Sequence, residues 1–251
     1  MSKPRLFSRR WCFAHRVELA SLIGGVGFLF YLWSGDSLLR DAARWLQVEH
    51  DAFVRGGYWL LAAINVVASI IRIWAGGTLG GARMMAVDVQ TDGLITGGPY
   101  RHVRNPIYLA DILTLAGMAL VVPWPGAVLV CLLLPATYLA VMSYEEERLT
   151  AELGEPYVEF KQAVPRLAWK FAPWRDGRGG GAFSWREGLE NNFIYLPLVP
   201  GFVVCAVTGV LWHGVLVGAI GPVGWVALHF WRNFKPGGLA RREGHDENHA
   251  S

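Results

Sequence analysis

The amino-acid sequence predicts an all-α integral membrane protein, a polytopic bundle of about six transmembrane helices. Only 17% of its 251 residues are charged and 53% are hydrophobic, whereas soluble domains carry about 25% charged residues. Charge is also sparse in six stretches that approach the roughly 20 apolar residues needed to cross a bilayer. These stretches are residues 19–33, 57–75, 106–122, 125–144, 193–212 and 214–231.

The first apolar stretch follows a basic N-terminus, which is compatible with a cleaved secretory signal or with a retained signal anchor. The apolar residues continue through Trp33 without an A-x-A-type cleavage site, so we favour the anchor. By the positive-inside rule, the basic residues before it place the N-terminus in the cytoplasm. These residues are Lys3, Arg5, Arg9, Arg10 and Arg16.

The remaining connections agree with this orientation. With six spans, the second and fourth connections and the C-terminal tail lie on the same side as the N-terminus, and all three are rich in Arg and Lys. Residues 35–56 mix acidic and basic side chains, as an outer loop does. We therefore expect an integral membrane protein with both termini in the cytoplasm.

Residues 97–108, GGPYRHVRNPIY, combine turn-forming glycines, two arginines and a helix start. Pro106 restricts Asn105 to extended geometry and fits the first position of a helix. The free backbone N–H groups of that helix then face the loop that carries Arg101 and Arg104, an arrangement that favours a carboxylate or a phosphate. The pattern predicts a cofactor pocket at the cytoplasmic surface of the membrane.

The third and fourth spans are predicted to form a hairpin closed by Pro123 and Pro125. The loop before Pro106 and the segment after Tyr144 therefore emerge side by side. We expect the fourth helix to extend beyond the membrane until Gly154, where a second short helix follows. One site can draw on both segments.

Three adjacent carboxylates, Glu145 to Glu147, begin where the fourth span leaves the bilayer. A solvated helix face is one explanation. Neighbouring helix positions point in different directions, however, so Glu145 or Glu146 should face the hairpin interior and the arginine loop. Either glutamate is thus a candidate site residue.

Arg72 lies in an apolar run near the cytoplasmic end of the second span, and two interpretations remain open. Its stem can stay in lipid while the guanidinium reaches the headgroups. Alternatively, an intramembrane cation marks a substrate or cofactor path.

The sequence indicates no metal site and no nucleic-acid partner. Cys12, Cys131 and Cys205 are far apart, and His102 has no companion at metal-ligand spacing. The net charge of +3 follows the topology of the basic loops. The expected partners are membrane lipids.

These segments together resemble the isoprenylcysteine carboxyl methyltransferase family and its bacterial relatives, membrane-embedded enzymes that use S-adenosylmethionine. The similar region runs from about Arg72 to Pro165. It contains, in order, RIWAGGTLG, DGLITGGPYRHVRNPIY and EEERLTAELGEPYVEFKQAVPR.

The resemblance implies an S-adenosylmethionine-dependent enzyme that methylates a lipophilic or lipidated acceptor entering from the bilayer. It divides the chain into residues 1–56, a catalytic core at 57–175, a flexible linker at 176–190 and an additional transmembrane hairpin with a basic tail at 191–251. The implied cofactor contacts are Asp92, Gly93, Leu94, Ile95, Tyr100, Asn105, Pro106, Ile107, Tyr108 and Glu145.

The sequence also departs from this family. The relatives have histidine at the positions of Asp92 and Asn105, and Val141 replaces an arginine linked to the substrate carboxylate. The acceptor is then a carboxylate held by another cation, or a thiol, an amine or another lipid-soluble group. The candidate catalytic residues are the cations Arg72 and Arg104, with Arg101 as a further option, and Glu146 or His102 as a base.

Two other functions fit parts of the pattern. Membrane reductases of the sterol-reductase type carry a similar Tyr, Arg and Asn-Pro or His-Pro arrangement before a span, and two arginines suit the 2′-phosphate of NADPH. A non-catalytic membrane scaffold that retains the fold is the third interpretation. The glutamate pair followed by Gly154 and Tyr157 favours methyl transfer.

Overall fold

The structure, a computed structural model, describes residues 8–84, 86, 88–91, 93–175, 182–224 and 226–227. Within these residues all regular secondary structure is helical. The helices are α1 Arg9–Ala14, α2 Arg16–Ser34, α3 Leu38–Leu46, α4 His50–Leu79, α5 Gly81–Met84, α6 Pro106–Met118, α7 Trp124–Leu153, α8 Glu155–Ala163, α9 Trp185–Glu190, α10 Leu198–Thr208 and α11 Leu211–Gly218, with 3-10 turns at Gly98–Arg101 and Ala119–Val121.

Three helices are long and apolar enough to cross a membrane: α2, α4 and α7, with 19, 30 and 30 residues. The other three predicted spans correspond to shorter apolar helices, namely Pro106–Val121, Leu198–Thr208 and Leu211–Gly224. The all-α membrane architecture is therefore confirmed, while the count of six spans stays a prediction.

The long helices pack closely through glycines. A Cβ added to Gly126 of α7 would lie 2.8 Å from the carbonyl oxygen of Gly27 on α2. Small residues permit such close approach of helix backbones in membranes. Leu61, Leu134 and Met142 are fully buried in the core between these helices and α4.

The predicted hairpin of α6 and α7 is present. α6 begins at Pro106, and α7 begins at Trp124 after the 3-10 turn. α7 continues through Pro135 to Leu153 and ends at Gly154, whose φ of 63° is the left-handed conformation that glycine favours. The helix α8 then begins directly, so the predicted extension and its second short helix are both confirmed.

The turn of the C-terminal hairpin is not where the sequence suggested. The predicted spans 193–212 and 214–231 place it between them, at residues 212–214, but the chain turns at Gly209, whose φ is 74°, and residues 212–214 belong to α11. Gly214 instead serves helix packing, because a Cβ there would lie 2.4 Å from the carbonyl oxygen of Gly201 on α10. Arg55 of α4 donates to the carbonyl oxygens of Ala206 (3.2 Å) and Thr208 (3.3 Å) and so anchors the end of α10.

The predicted linker at 176–190 is described only from residue 182 onward, and there it is packed helix rather than open chain. The Ser184 N–H donates to the Gly77 carbonyl at 2.9 Å. A Cβ added to Gly188 of α9 would lie 2.6 Å from the carbonyl oxygen of Ile73. The helix α9 is therefore seated against α4, and it directs the following residues toward the bundle interior.

Candidate functional site

A cavity of about 330 Å³ opens at the end of the bundle where α4 and α7 finish and α6 begins. Helices α2, α4, α6 and α7, the loop before α6 and the segment after α9 all contribute to its wall. Eight of the sequence-predicted site residues line it. They are Arg72, Tyr100, Arg104, Asn105, Pro106, Ile107, Tyr108 and Glu145.

The loop before α6 is held against the segment that follows α8. The Arg104 N–H donates to the Pro165 carbonyl (2.9 Å), and Trp174 N–H donates to the Arg101 carbonyl (3.0 Å). At the start of this loop, Gly98 has a φ of 54°, and a Cβ there would lie 2.4 Å from Thr78 Oγ1. The loop conformation therefore depends on glycine at this position.

Tyr108 and Glu145 connect the start of α6 to the end of α7. The Tyr108 hydroxyl donates to Glu145 Oε2 at 3.1 Å, and both residues line the cavity. Nearby, the buried Tyr100 closes the wall next to Asn105. Burial raises the pKa of Tyr100 well above its ordinary value, and the charge of Glu145 adds to the increase, so this phenol is neutral at physiological pH.

Arg72 is buried and ion-paired, so the snorkelling interpretation is wrong. Its guanidinium contacts the carboxylate of Asp111 on α6 and lies 3.9 Å from the ring centroid of Tyr195. Tyr138 of α7 donates to the other Asp111 oxygen at 3.3 Å. Arg72 Nε has no hydrogen-bond partner among the described residues, and an unsatisfied buried donor requires an explanation.

Glu146 does not line the cavity. It is buried on the neighbouring side of α7, where Oε2 accepts from Arg166 (2.6 Å) and Oε1 from Arg104 (3.1 Å), with Lys161 Nζ 3.7 Å away. The hydrogen bond to Glu146 raises the pKa of Arg166. Arg104 also donates to the Val164 carbonyl at 2.5 Å. This cluster fixes the guanidinium of Arg104 at the cavity wall.

The other predicted residues lie further from the cavity. Leu94 and Ile95 pack in a cluster with Tyr157 and Phe160, and Gly93 accepts a hydrogen bond from Arg83 at 3.1 Å. Asp92 lies outside the described residues.

The alternative base His102 is also turned away. Its Nδ1 donates to the Lys170 carbonyl at 2.7 Å, and its ring stacks on Trp169 with centroids 4.9 Å apart. Among the described residues lining the cavity there is no histidine.

The wall residues that the sequence reasoning missed include Arg16, Asp111, Tyr138 and Tyr195. Asp111 left a usable signal, because a single acidic residue in an apolar span marks a site by default. Arg16 had been explained by topology alone, yet its Nη2 donates to the carbonyls of Met84 and Ala86 at 3.0 Å each. Tyr195 gave no signal, since it reaches the cavity only through the packing of α9 on α4.

The fold and this cavity define a helical membrane protein with a cavity at one end that is lined by charged, aromatic and aliphatic side chains. Residues 57–154, which include α4, α6 and α7, match the family model of phospholipid methyltransferases (PEMT). No curated protein and no solved structure matches the chain significantly.

Residues 57–154 are therefore similar to phospholipid methyltransferases, and the protein is an S-adenosylmethionine-dependent membrane methyltransferase. This result favours methyl transfer over the reductase and scaffold interpretations. The finer resemblance to the isoprenylcysteine enzymes stays a prediction.

The cavity fits the implied cofactor. Ligand pockets typically occupy about 300–1,000 Å³, and this cavity reaches that range. Its wall offers cations for a carboxylate (Arg16 and Arg104), a carboxylate for an amino group (Glu145) and aromatic faces for a sulfonium (Tyr100 and Tyr108).

Proposed function

We propose that the protein methylates the polar end of a membrane lipid that enters the cavity from the bilayer. One observation carries the proposal: the same cavity is lined by charged groups, including Asp111 and Glu145, and by apolar groups, including Val17, Ala20 and Leu115. A lipid headgroup and the beginning of its tail require both kinds of surface.

The cofactor is assigned to the part of the cavity next to Tyr108 and Glu145. Glu145 would bind its amino group, Arg104 or Arg16 its carboxylate, and the rings of Tyr100 and Tyr108 would cover its charged sulfur. Bound there, S-adenosylmethionine supplies an electrophilic methyl group. The protein contributes by positioning the acceptor and by excluding water, both of which favour a bimolecular transfer.

The acceptor is assigned to the part of the cavity next to Arg72 and Asp111. The unpartnered Nε of Arg72 offers a donor to an oxygen of the lipid headgroup, such as a phosphate oxygen. Asp111 lines the same wall and offers a carboxylate to an amine.

We propose an amine-bearing phospholipid, such as phosphatidylethanolamine, as the first acceptor to test. The family match points to a phospholipid, and Val141, at the position of the arginine linked to the substrate carboxylate, is fully buried. A protonated amine must lose a proton before transfer, and Asp111 and Glu145 are the carboxylates in the described wall. Glu146 faces three cations instead, so we assign it to positioning Arg104.

A prenylated cysteine carboxylate is the second candidate acceptor. Arg16 and Arg104 line the cavity and would bind a carboxylate in the absence of an arginine at position 141. The two candidates differ in the labelled product, an N-methylated lipid or a methyl ester, and mild base releases labelled methanol only from the methyl ester.

The test is incubation of purified protein with methyl-labelled S-adenosylmethionine and an extract of total membrane lipids. We expect label in a lipid that mass spectrometry identifies as an N-methylated phospholipid. If protein with demonstrated cofactor binding transfers no label to any lipid, the proposal is overturned. Competition with NADPH provides a control, since that nucleotide should not displace S-adenosylmethionine from a methyltransferase site.

A further inference from the structure

A second cavity, of about 270 Å³, lies between α2, the end of α6 and the C-terminal hairpin of α10 and α11. The thirteen described residues that line it are all apolar or glycine, and none of them carries a charge. They include Phe28 of α2, Met118 at the end of α6, Phe202 of α10 and Leu211 of α11. We call it the apolar groove.

The apolar groove adjoins the cavity that we assign to the cofactor and the acceptor, called the polar cavity from here on. A third, small space of about 30 Å³ is lined by residues of both. It shares Ala20 and Gly24 with the polar cavity and Phe28 and Val121 with the groove. Met118 lines all three, so a path from the polar cavity to the groove would pass this side chain.

The helix backbones leave space along this path. Gly24 lines its polar end, and a Cβ added there would meet nothing within 4 Å. At the other end, Gly201 and Gly214 let α10 and α11 cross closely, which fixes the hairpin as the far wall of the groove. The hairpin lies beyond the matched residues 57–154, so this wall is an addition to the methyltransferase domain.

We propose that the apolar groove holds an acyl chain of the acceptor lipid while its headgroup lies in the polar cavity. This inference rests on the proposed function. The shared wall at Met118 supports it, because a lipid with its polar end beside Arg72 would find adjoining apolar surface for its tail. Lipid tails are as apolar as the groove, so an acyl chain that moves from the bilayer into the groove gains no hydrophobic free energy. The groove therefore selects acyl chains by shape and length.

The test uses phosphatidylethanolamine that carries a photoactivatable diazirine at the end of one acyl chain, added to full-length protein in detergent. After irradiation, mass spectrometry locates the cross-linked residues. We expect cross-links to residues of the groove, such as Val215 and Ala219. Ala219→Phe should fill the groove and reduce these cross-links several-fold while cofactor binding persists.

Ile220→Phe is the matched control. Ile220 follows Ala219 but is 58% exposed and does not line the groove, so its cross-links should equal those of the wild type. A second control is a diacylglycerol with the same diazirine chain and no headgroup. Equal labelling by both lipids, without competition by unlabelled phosphatidylethanolamine, would mean that the groove holds bulk lipid, and it would overturn the proposal.

Adding S-adenosylmethionine to the same sample and scoring methylation of the probe separates the groove assignment from the proposed acceptor. A methylated probe with no cross-link in the groove overturns the groove assignment and leaves the proposed function intact. Cross-links in the groove that respond to Ala219→Phe, without methylation, support the groove and overturn phosphatidylethanolamine as the acceptor.

Discussion

The Tyr108 hydroxyl donates to the carboxylate of Glu145 across a distance of 3.1 Å, although the residues are 37 positions apart in the sequence. This bond connects the first turn of α6 to the last turns of α7. It places the two halves of the predicted pocket at one end of the same hairpin. The charge of Glu145 is therefore held where a cofactor between these helices would meet it.

Replacing Glu145 tests this contact. We expect Glu145→Gln to weaken S-adenosylmethionine binding about ten-fold or more, because a hydrogen bond to a charged group contributes roughly 1.5–3 kcal/mol. Calorimetric titration in detergent measures the effect. Glu147→Gln is the matched control, since the Glu147 side chain is 62% exposed and pairs with Arg9 outside the cavity. Equal loss of affinity in both variants would remove Glu145 from the proposed site.

The buried pair of Arg72 and Asp111 provides a stability prediction. Asp111→Ala leaves the guanidinium without its counter-charge, and breaking a buried pair costs about 3–5 kcal/mol. We expect a marked decrease in the apparent melting temperature in detergent. The double variant Arg72→Leu/Asp111→Leu should recover much of this loss, because it removes both charges.

The same double variant separates folding from function. If the pair only stabilises the bundle, the stable double variant will methylate lipid at the wild-type rate. We expect instead that it is inactive, because it lacks both the Nε donor of Arg72 and the carboxylate of Asp111. Full activity in the double variant would contradict the assignment of the acceptor to this wall.

Local signals in the sequence were sufficient for the hairpin and much of its site. Pro106 begins α6 and Gly154 ends α7 as expected, because these residues restrict the backbone by themselves. Hydropathy also located the long spans, because the thickness of the bilayer sets the length of an apolar helix that crosses it. Once these elements were placed, the loop before α6 and the end of α7 had to meet.

Features that depend on packing between distant segments were not predictable. Tyr195 reaches Arg72 because glycine at position 188 allows α9 to lie against the α4 backbone. The choice between Glu145 and Glu146 was left open, since it depends on the exact rotation of α7. The hairpin turn was misplaced because Gly209 and Gly214 look alike in the sequence, while only one of them has a positive φ.

A substitution of Glu146 tests whether this residue positions Arg104 or acts as a general base. Glu146→Gln should release Arg104 and Arg166 and lower methylation, with a higher KM for S-adenosylmethionine as the main change. The residual activity should keep the wild-type dependence of kcat on pH, because the side chain does not line the cavity. A pH profile that loses its acidic limb in this variant would show that Glu146 transfers a proton.

Gly98 should be irreplaceable for two separable reasons. In Gly98→Ala, the left-handed φ of 54° costs about 1–2 kcal/mol, and the new Cβ also collides with Thr78. Gly35→Ala is the control, because its φ of 66° is similar but a Cβ there meets nothing within 4 Å. We expect a small decrease in melting temperature for Gly35→Ala and an additional loss of cofactor affinity for Gly98→Ala. Intact affinity in Gly98→Ala would mean that the loop does not shape the pocket.

The orientation in the membrane is open to a direct test. Arg9 pairs with Glu147 and Arg16 donates to the Met84 carbonyl, so the basic N-terminal segment and the cavity lie at the same end of the bundle. The positive-inside rule then predicts that this end faces the cytoplasm. In a cysteine-free background, Glu147→Cys should react with a membrane-impermeant maleimide only after the cells are opened, whereas Gly35→Cys should react in intact cells. The reverse pattern would place the cofactor site on the outer side, away from the predicted position.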